Sequence, residues 1–136
     1  MKKRIDLILL ICWMIVIFVM SSFSAYESGR QSGFIVDILS KVFNLDNIEL
    51  INFFVRKTAH FLEYFILGIF CYNVIRNRNY KLFTAVIISF LYACSDEVHQ
   101  MFSVGRSCKF LDIIIDSCGA VFGIYLWKYI KSKNNN

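Results

Sequence analysis

The sequence predicts an all-α membrane protein: a bundle of four transmembrane helices with a short interfacial amphipathic helix between the first and second. Three observations lead there. Three long apolar runs and one interrupted run each approach the roughly 20 residues that a spanning helix needs. The 136 residues are 57% hydrophobic, with a mean hydropathy of +0.55 and no proline, a balance foreign to a soluble domain. Lysine and arginine gather at the ends of the apolar runs, as the positive-inside rule produces. The formal net charge of +5 is therefore no nucleic-acid signal. Length alone predicts a single domain over 1–136.

The first helix, about 5–22, follows Lys2-Lys3-Arg4 and is apolar throughout. Its apolar run is longer than the core of a secretory signal, so it is expected to stay as a helix rather than be cleaved. Residues 21–52 form the longest polar connection, with Ser21, Ser22, Ser24, Ser28, Gly29, Ser32 and Gly33 marking a loop. Within it, residues 34–44 set Ile35, Ile38, Leu39, Val42 and Phe43 against Asp37, Ser40, Lys41 and Asn44. That segment is too short to span. It suits a helix lying in the interface, or one folded over the mouth of the bundle.

The second helix, about 53–75, is apolar but carries Arg56, Lys57, His60 and Glu63 in its first half. A basic turn follows at 76–81, then a third helix at about 82–101 with Asp96, Glu97, His99 and Gln100 at its end. A second turn surrounds Gly105 and Arg106. The fourth helix, about 110–129, opens with Asp112 and Asp116 and closes on Trp127-Lys128-Tyr129, an interfacial anchor pattern. A frayed tail is expected from Lys131. The five cysteines show no metal or redox spacing, and four of them lie in apolar segments.

The amino terminus, the 76–81 turn and the carboxy terminus hold nine of the fifteen Lys and Arg. Arg30, Lys41, Arg56, Lys57, Arg106 and Lys109 are the other six. Both termini are thus predicted to be cytoplasmic in a multi-pass protein of the plasma membrane. The polar residues then occupy the outer half of the bundle.

A charged residue near the bilayer centre costs about 2.5–3.5 kcal/mol on insertion scales and so faces partners or water. On a helical wheel Arg56, His60, Glu63 and Leu67 fall within roughly 60° of one another. Ser89, Tyr92, Asp96, His99, Gln100 and Ser103 share an arc of roughly 100° on the third helix. Glu97 points away from them and needs another partner, Arg106 or Lys57. Asp112, Asp116, Gly119 and Gly123 align on the fourth helix, and the GxxxG allows a neighbouring backbone to approach closely. Three walls of one outward-facing pocket are expected.

Within it, His60 with Glu63 and His99 with Asp96 are i,i+3 neighbours able to position an imidazole as general acid or base. Asp112 and Asp116 complete the candidate catalytic set. Arg56 and Arg106 suit a phosphate or carboxylate. Ser95 and Ser103 are better read as bonding backbone than as nucleophiles. Four positive residues (Arg56, Lys57, Arg106, Lys109) face five negative ones (Glu63, Asp96, Glu97, Asp112, Asp116), and one protonated histidine balances the set. No metal is needed and no cofactor is expected. A divalent metal is the minor alternative, because no strong ligand spacing is present.

Three blocks, RKTAHFLEYFILG (56–68), SDEVHQMFSVGRS (95–107) and DIIIDSCGAVFG (112–123), closely resemble those of the VanZ-like membrane protein family. By that resemblance Arg56, Lys57, His60, Glu63, Tyr64, Asp96, Glu97, His99, Gln100, Gly105, Arg106, Asp112, Asp116 and Gly119 match its motif positions. Tyr64, Glu97 and Gln100 join Arg56, Lys57 and Arg106 as candidate ligand-binding residues. The pattern departs at Val104, where the family often has proline. The resemblance implies a cell-envelope setting and a part in teicoplanin-type glycopeptide resistance, and it implies no particular reaction. The expected partner is a membrane lipid or lipid-linked envelope precursor, bound or modified in the pocket. The alternative is a non-catalytic binding or shielding module whose buried charges are structural.

Overall fold

A computed structural model describes residues 2–43, 47–75 and 79–134. Every regular element among them is helical: α1 (Lys2–Ser22), α2 (Ala25–Phe43), α3 (Ile48–Val74), α4 (Lys81–Gln100) and α5 (Phe110–Lys133). Without proline, nothing breaks these helices internally.

Three of them, α1 from Arg4, α4 and α5, are long and apolar enough to cross a membrane. Among the described side chains of α1 only Leu10, Ile17 and Ser21 are buried, while Ile5, Ile8, Ile11, Ile15 and Phe18 lie exposed. Such a face is suited to hydrocarbon rather than water. The 27-residue α3 is the longest helix, about 40 Å at 1.5 Å per residue. Its polar first half keeps it out of the membrane-crossing class, yet it packs against all four other helices. A helix with charge in its first half is the hub.

Cross-helix bonds fix the directions. The Trp13 indole donates to the Glu63 carbonyl at 2.9 Å, and the Tyr92 hydroxyl donates to the Met14 carbonyl at 2.6 Å. Lys57 pairs with Asp112, and the Trp127 indole donates to Asn73 Oδ1 at 2.9 Å. So α1 runs parallel to α4, α3 runs parallel to α5, and the two pairs oppose each other. The ends of α1 and α4 therefore meet the starts of α3 and α5. Nearly all the buried polar residues lie at that end, together with α2 and the 101–109 turn.

The remaining length is an apolar core of Leu10, Ile17, Tyr64, Leu67, Cys71, Ala85, Ala93, Ala120 and Ile124. Its tightest part is a glycine seam between α3 and α5. A Cβ added at Gly119 would collide with the Phe61 carbonyl, at Gly123 with the Phe65 carbonyl, and at Gly68 with the Ala120 backbone. The GxxxG thus packs backbone on backbone, as its alignment with the two aspartates predicts.

The expected loop at 21–33 is wrong beyond Ser24. From Ala25 the chain is helical and continuous with the predicted amphipathic segment. Ser24 and Glu27 form a reciprocal cap. The Ser24 N–H donates to Glu27 Oε2 at 2.9 Å, and the Glu27 N–H donates to Ser24 Oγ at 3.2 Å. The hydroxyl of Ser32 bonds back to the Ser28 and Gly29 carbonyls, so serines that favour loops are accommodated in helix. Val36 is buried, whereas Ile35, Ile38 and Val42 are exposed. Asn44, which closes the predicted segment, lies outside the described residues.

Smaller boundary differences have similar causes. The Asn47 side chain accepts from the Leu50 N–H at 3.1 Å, starting α3 five residues earlier than expected. At the other end Lys131 joins Trp127 on Asn73, which extends α5 to Lys133 through the predicted tail. Residues 76–78 of the basic turn and 135–136 of the tail lie outside the described residues. In the second turn Gly105 has φ 75°, a left-handed conformation that a side chain would strain.

Candidate functional site

The polar end is assembled by all five helices and one turn. Arg56, His60 and Glu63 share a stripe of α3, as the wheel predicts. They line a cavity of about 180 Å³ with Met20 and Ser21 of α1, Ser28, Ser32 and Ile35 of α2, Val55, Ala59 and Arg106. A second cavity of about 370 Å³ lies beside it, lined by Gly29, Glu49, Asn52, Phe53, Arg56, Lys57, Gln100, Gly105, Arg106, Ser107, Lys109 and Asp112. Arg56 and Arg106 border both. The first cavity has several apolar walls; the second carries four basic side chains against two acidic ones.

Arg106 is held at this junction by the backbone turn at Gly105. Its guanidinium donates to the Ser21 carbonyl at 3.3 Å and to Ser28 Oγ at 3.0 Å, while its buried Nε has no partner. Burial, and then the neighbouring Arg56 charge, lower its pKa from the ordinary value. Two guanidinium residues thus border the same two cavities, and that of Arg106 keeps one buried N–H unanswered.

The acidic residues are satisfied unequally. Asp112, in the first turn of α5, pairs with Lys57. Glu97, fully buried, accepts the Lys109 N–H at 2.8 Å through Oε2. Its partner is therefore a backbone amide at the start of α5, rather than the expected Arg106 or Lys57. Asp96 Oδ2 accepts from Gln100 Nε2 at 3.1 Å, and the same amide donates to Ser21 Oγ at 2.9 Å. Asp116 is fully buried, and neither of its carboxylate oxygens has a hydrogen-bond partner. The Tyr64 hydroxyl is equally buried and also lacks a partner.

The two predicted histidine pairs do not form. His60 Nδ1 lies 3.7 Å from Asp116 Oδ1 across the α3–α5 contact, rather than against Glu63. His99 stacks on Phe18 with ring centroids 4.2 Å apart, rather than bonding Asp96. The reason is packing. The glycine seam brings α5 so close to α3 that a carboxylate on the facing helix outcompetes one along the same helix. His99 looks instead towards α1. Of the predicted set, His60, Asp96, Asp116 and Tyr64 converge at the bundle interior, and Arg56, Glu63 and Arg106 converge on the cavity. Lys57 and Asp112 sit at the rim, and Glu97 and Gln100 brace the turn.

Ser95 Oγ donates to the Tyr92 carbonyl at 2.8 Å, and Ser103 Oγ donates to the Ser21 and Ser22 carbonyls at 3.3 Å. Both bond backbone, as expected of serine in a membrane helix. Sequence reasoning missed Ser21, Ser28, Ser32 and Asn52, which line the cavities or hold Arg106. The Ser24-x-x-Glu27 cap was the available signal. Once α2 is known to start there, Ser28, Ser32 and Ile35 fall on one face at i, i+4, i+7 spacing.

No curated protein and no solved structure matches the chain. A sequence model of the family described as VanZ/LLP1 matches residues 7–131, which takes in α2, α3 and α4, most of α1 and α5, and every residue of the site. With three helices able to cross a membrane, this chain is a helical membrane protein that belongs to the VanZ/LLP1 family.

Proposed function

We propose that the protein is a multi-pass protein of the plasma membrane, spanned by α1, α3, α4 and α5, with both termini cytoplasmic. Its polar end then opens outward, α2 lies in the interface with Ile35, Ile38 and Val42 towards lipid, and the site binds or modifies a lipid or lipid-linked cell-wall component. One observation carries this reading: a cavity with apolar walls and a basic cavity meet at Arg56 and Arg106. A lipid phosphate has that duality. Its anionic head suits paired guanidinium groups, which bind phosphate bidentately, and its chain suits the Met20–Ile35–Val55 wall. A part in teicoplanin-type glycopeptide resistance is supported by the resemblance to the VanZ-like family.

The test is native mass spectrometry of the full chain released from mixed phosphatidylglycerol and phosphatidylcholine nanodiscs. Preferential retention of phosphatidylglycerol is expected. Arg56→Gln and Arg106→Gln should each weaken it about 10- to 100-fold, since a charge-assisted bond contributes about 1.5–3 kcal/mol. Equal retention of both lipids, or no loss in either variant, sinks the proposal.

A second reading, in which the buried charges are structural and the protein shields or binds without catalysis, is favoured by the Lys57–Asp112 and Glu97–Lys109 contacts. His60→Gln and Glu63→Gln separate the two. If both insert normally and leave teicoplanin susceptibility as in the parent, proton transfer at those residues is excluded.

A further inference from the structure

His60 on α3, Asp96 on α4 and Asp116 on α5 each offer one ligand atom, and the three atoms lie within 4.8 Å of one another. Asp96 lies 36 and Asp116 lies 56 positions after His60, each on a separate helix, so no local spacing announces them. Two details set this cluster apart from an ordinary network of paired charges. Asp112, Glu97 and Asp96 each have a partner, whereas Asp116, with no exposed surface, has none at either oxygen. His60 Nδ1, 3.7 Å from Asp116 Oδ1, is also buried without a hydrogen bond. An unanswered carboxylate in a buried site is among the costliest arrangements a fold can keep.

We propose that His60, Asp96 and Asp116 bind a divalent transition-metal ion at the junction of α3, α4 and α5. An imidazole with two carboxylates suits Zn²⁺ or Mn²⁺ better than Mg²⁺ or Ca²⁺, which prefer all-oxygen shells. The two carboxylates cancel the 2+ charge, leaving a neutral centre in a low-dielectric interior. Tetrahedral Zn²⁺ with bonds of about 2.1 Å sets its ligands about 3.4 Å apart. The His60–Asp116 separation is already near that value. Gln100, on the Oδ2 of Asp96, orients the third ligand, as hydrogen-bonded carboxylates in metal sites are oriented. The Tyr64 hydroxyl is a further oxygen in the same interior without a partner. The lipid reading rests on Arg56 and Arg106, and this site stands or falls without it.

The experiment uses tag-free full chain in phosphatidylcholine nanodiscs, stripped with chelator, loaded with Zn²⁺ or Co²⁺ and gel-filtered. One Zn²⁺ per chain is expected by elemental mass spectrometry, with visible d–d absorption from the Co²⁺ form. Asp116→Asn and His60→Gln should each lower the retained metal more than tenfold, while Asp37→Asn, on the exposed face of α2, should retain it. Parent protein that holds no metal, or ligand variants that hold as much as the parent, overturns the proposal. Should neither ligand variant fold, electron spin echo spectroscopy of the Cu²⁺-loaded parent decides. One coordinated imidazole supports the site, and none overturns it.

Discussion

The parallel pair α3 and α5 is two different interfaces in succession. Over Lys57–His60 and Asp112–Asp116 the helices meet through charged side chains. One and two turns later, at Phe61–Gly68 and Gly119–Gly123, they meet through bare backbone. The close seam fixes the helix separation, and the polar side chains above it have to fit within what remains. That is why His60 faces Asp116 across the interface. Asp112, in the first turn of α5, and Glu97, on the Lys109 N–H, both lie at the amino end of α5, where the helix dipole favours negative charge. The seam supplies position, and the polar end uses it.

Breaking the seam should have the largest effect. Gly119→Val and Gly123→Val each push a branched side chain into a facing carbonyl. Overpacking costs typically about 1–3 kcal/mol and occasionally more, and here the obstruction is backbone, so about 3 kcal/mol per site is expected. Unfolding in mixed micelles with increasing denaturing detergent measures it. If either variant unfolds at the parent midpoint, α5 does not approach α3 as described.

The polar half sharpens the contrast, because there the single loss and the double loss should differ. Lys57→Met leaves Asp112 buried without its partner, and truncating one member of a buried pair costs about 3–5 kcal/mol. Both side chains retain some exposure, 16% for Lys57 and 10% for Asp112, which lowers the expectation to about 2 kcal/mol. Lys57→Met combined with Asp112→Leu should recover most of that, since an apolar pair of similar volume replaces an ion pair nearly neutrally. The same unfolding titration reads both. A double variant as unstable as the single one would mean that Asp112 has a separate role at the start of α5.

How much of this was legible in the sequence follows from the range of each interaction. The apolar runs gave α4 to within a residue at each end, and α1 and α5 except for three residues at the start of one and four at the end of the other, because hydropathy is local. The stripe of Arg56, His60 and Glu63 was legible for the same reason, as was the GxxxG seam from the register of Gly119 with Asp116. The partners were not. Along one helix Glu63 is the natural neighbour of His60, and only the approach of α5 makes Asp116 nearer. Glu97 looked like half of an ion pair because a backbone amide twelve residues on leaves no mark in a pattern of side chains. His99 was misassigned because nothing in its own helix reveals Phe18. The α2 error was of another kind: serine and glycine were read as loop composition, while Ser24-x-x-Glu27, which starts the helix, was present.

That cap yields the smallest effect, at the far edge of the polar end. Glu27 is fully exposed, and its carboxylate accepts the N–H and hydroxyl of Ser24. Those bonds, from the backbone first, hold its pKa below the ordinary glutamate value of 4.5. A carboxylate with a lowered folded-state pKa contributes stability above its unfolded value and loses it as pH falls through the folded one. The Ser24 amide resonance, followed by NMR in nanodiscs, should therefore be constant near neutral pH and titrate only below 4.5. Glu27→Gln should abolish that titration while leaving α2 helical, because the glutamine carbonyl still accepts at the same capping position. A Ser24 amide that titrates at or above the ordinary value would mean that α2 is not capped there. Its serines would then revert to the flexible entrance that composition alone suggests, and the cavity would lose the α2 wall that carries Ser28 to Arg106.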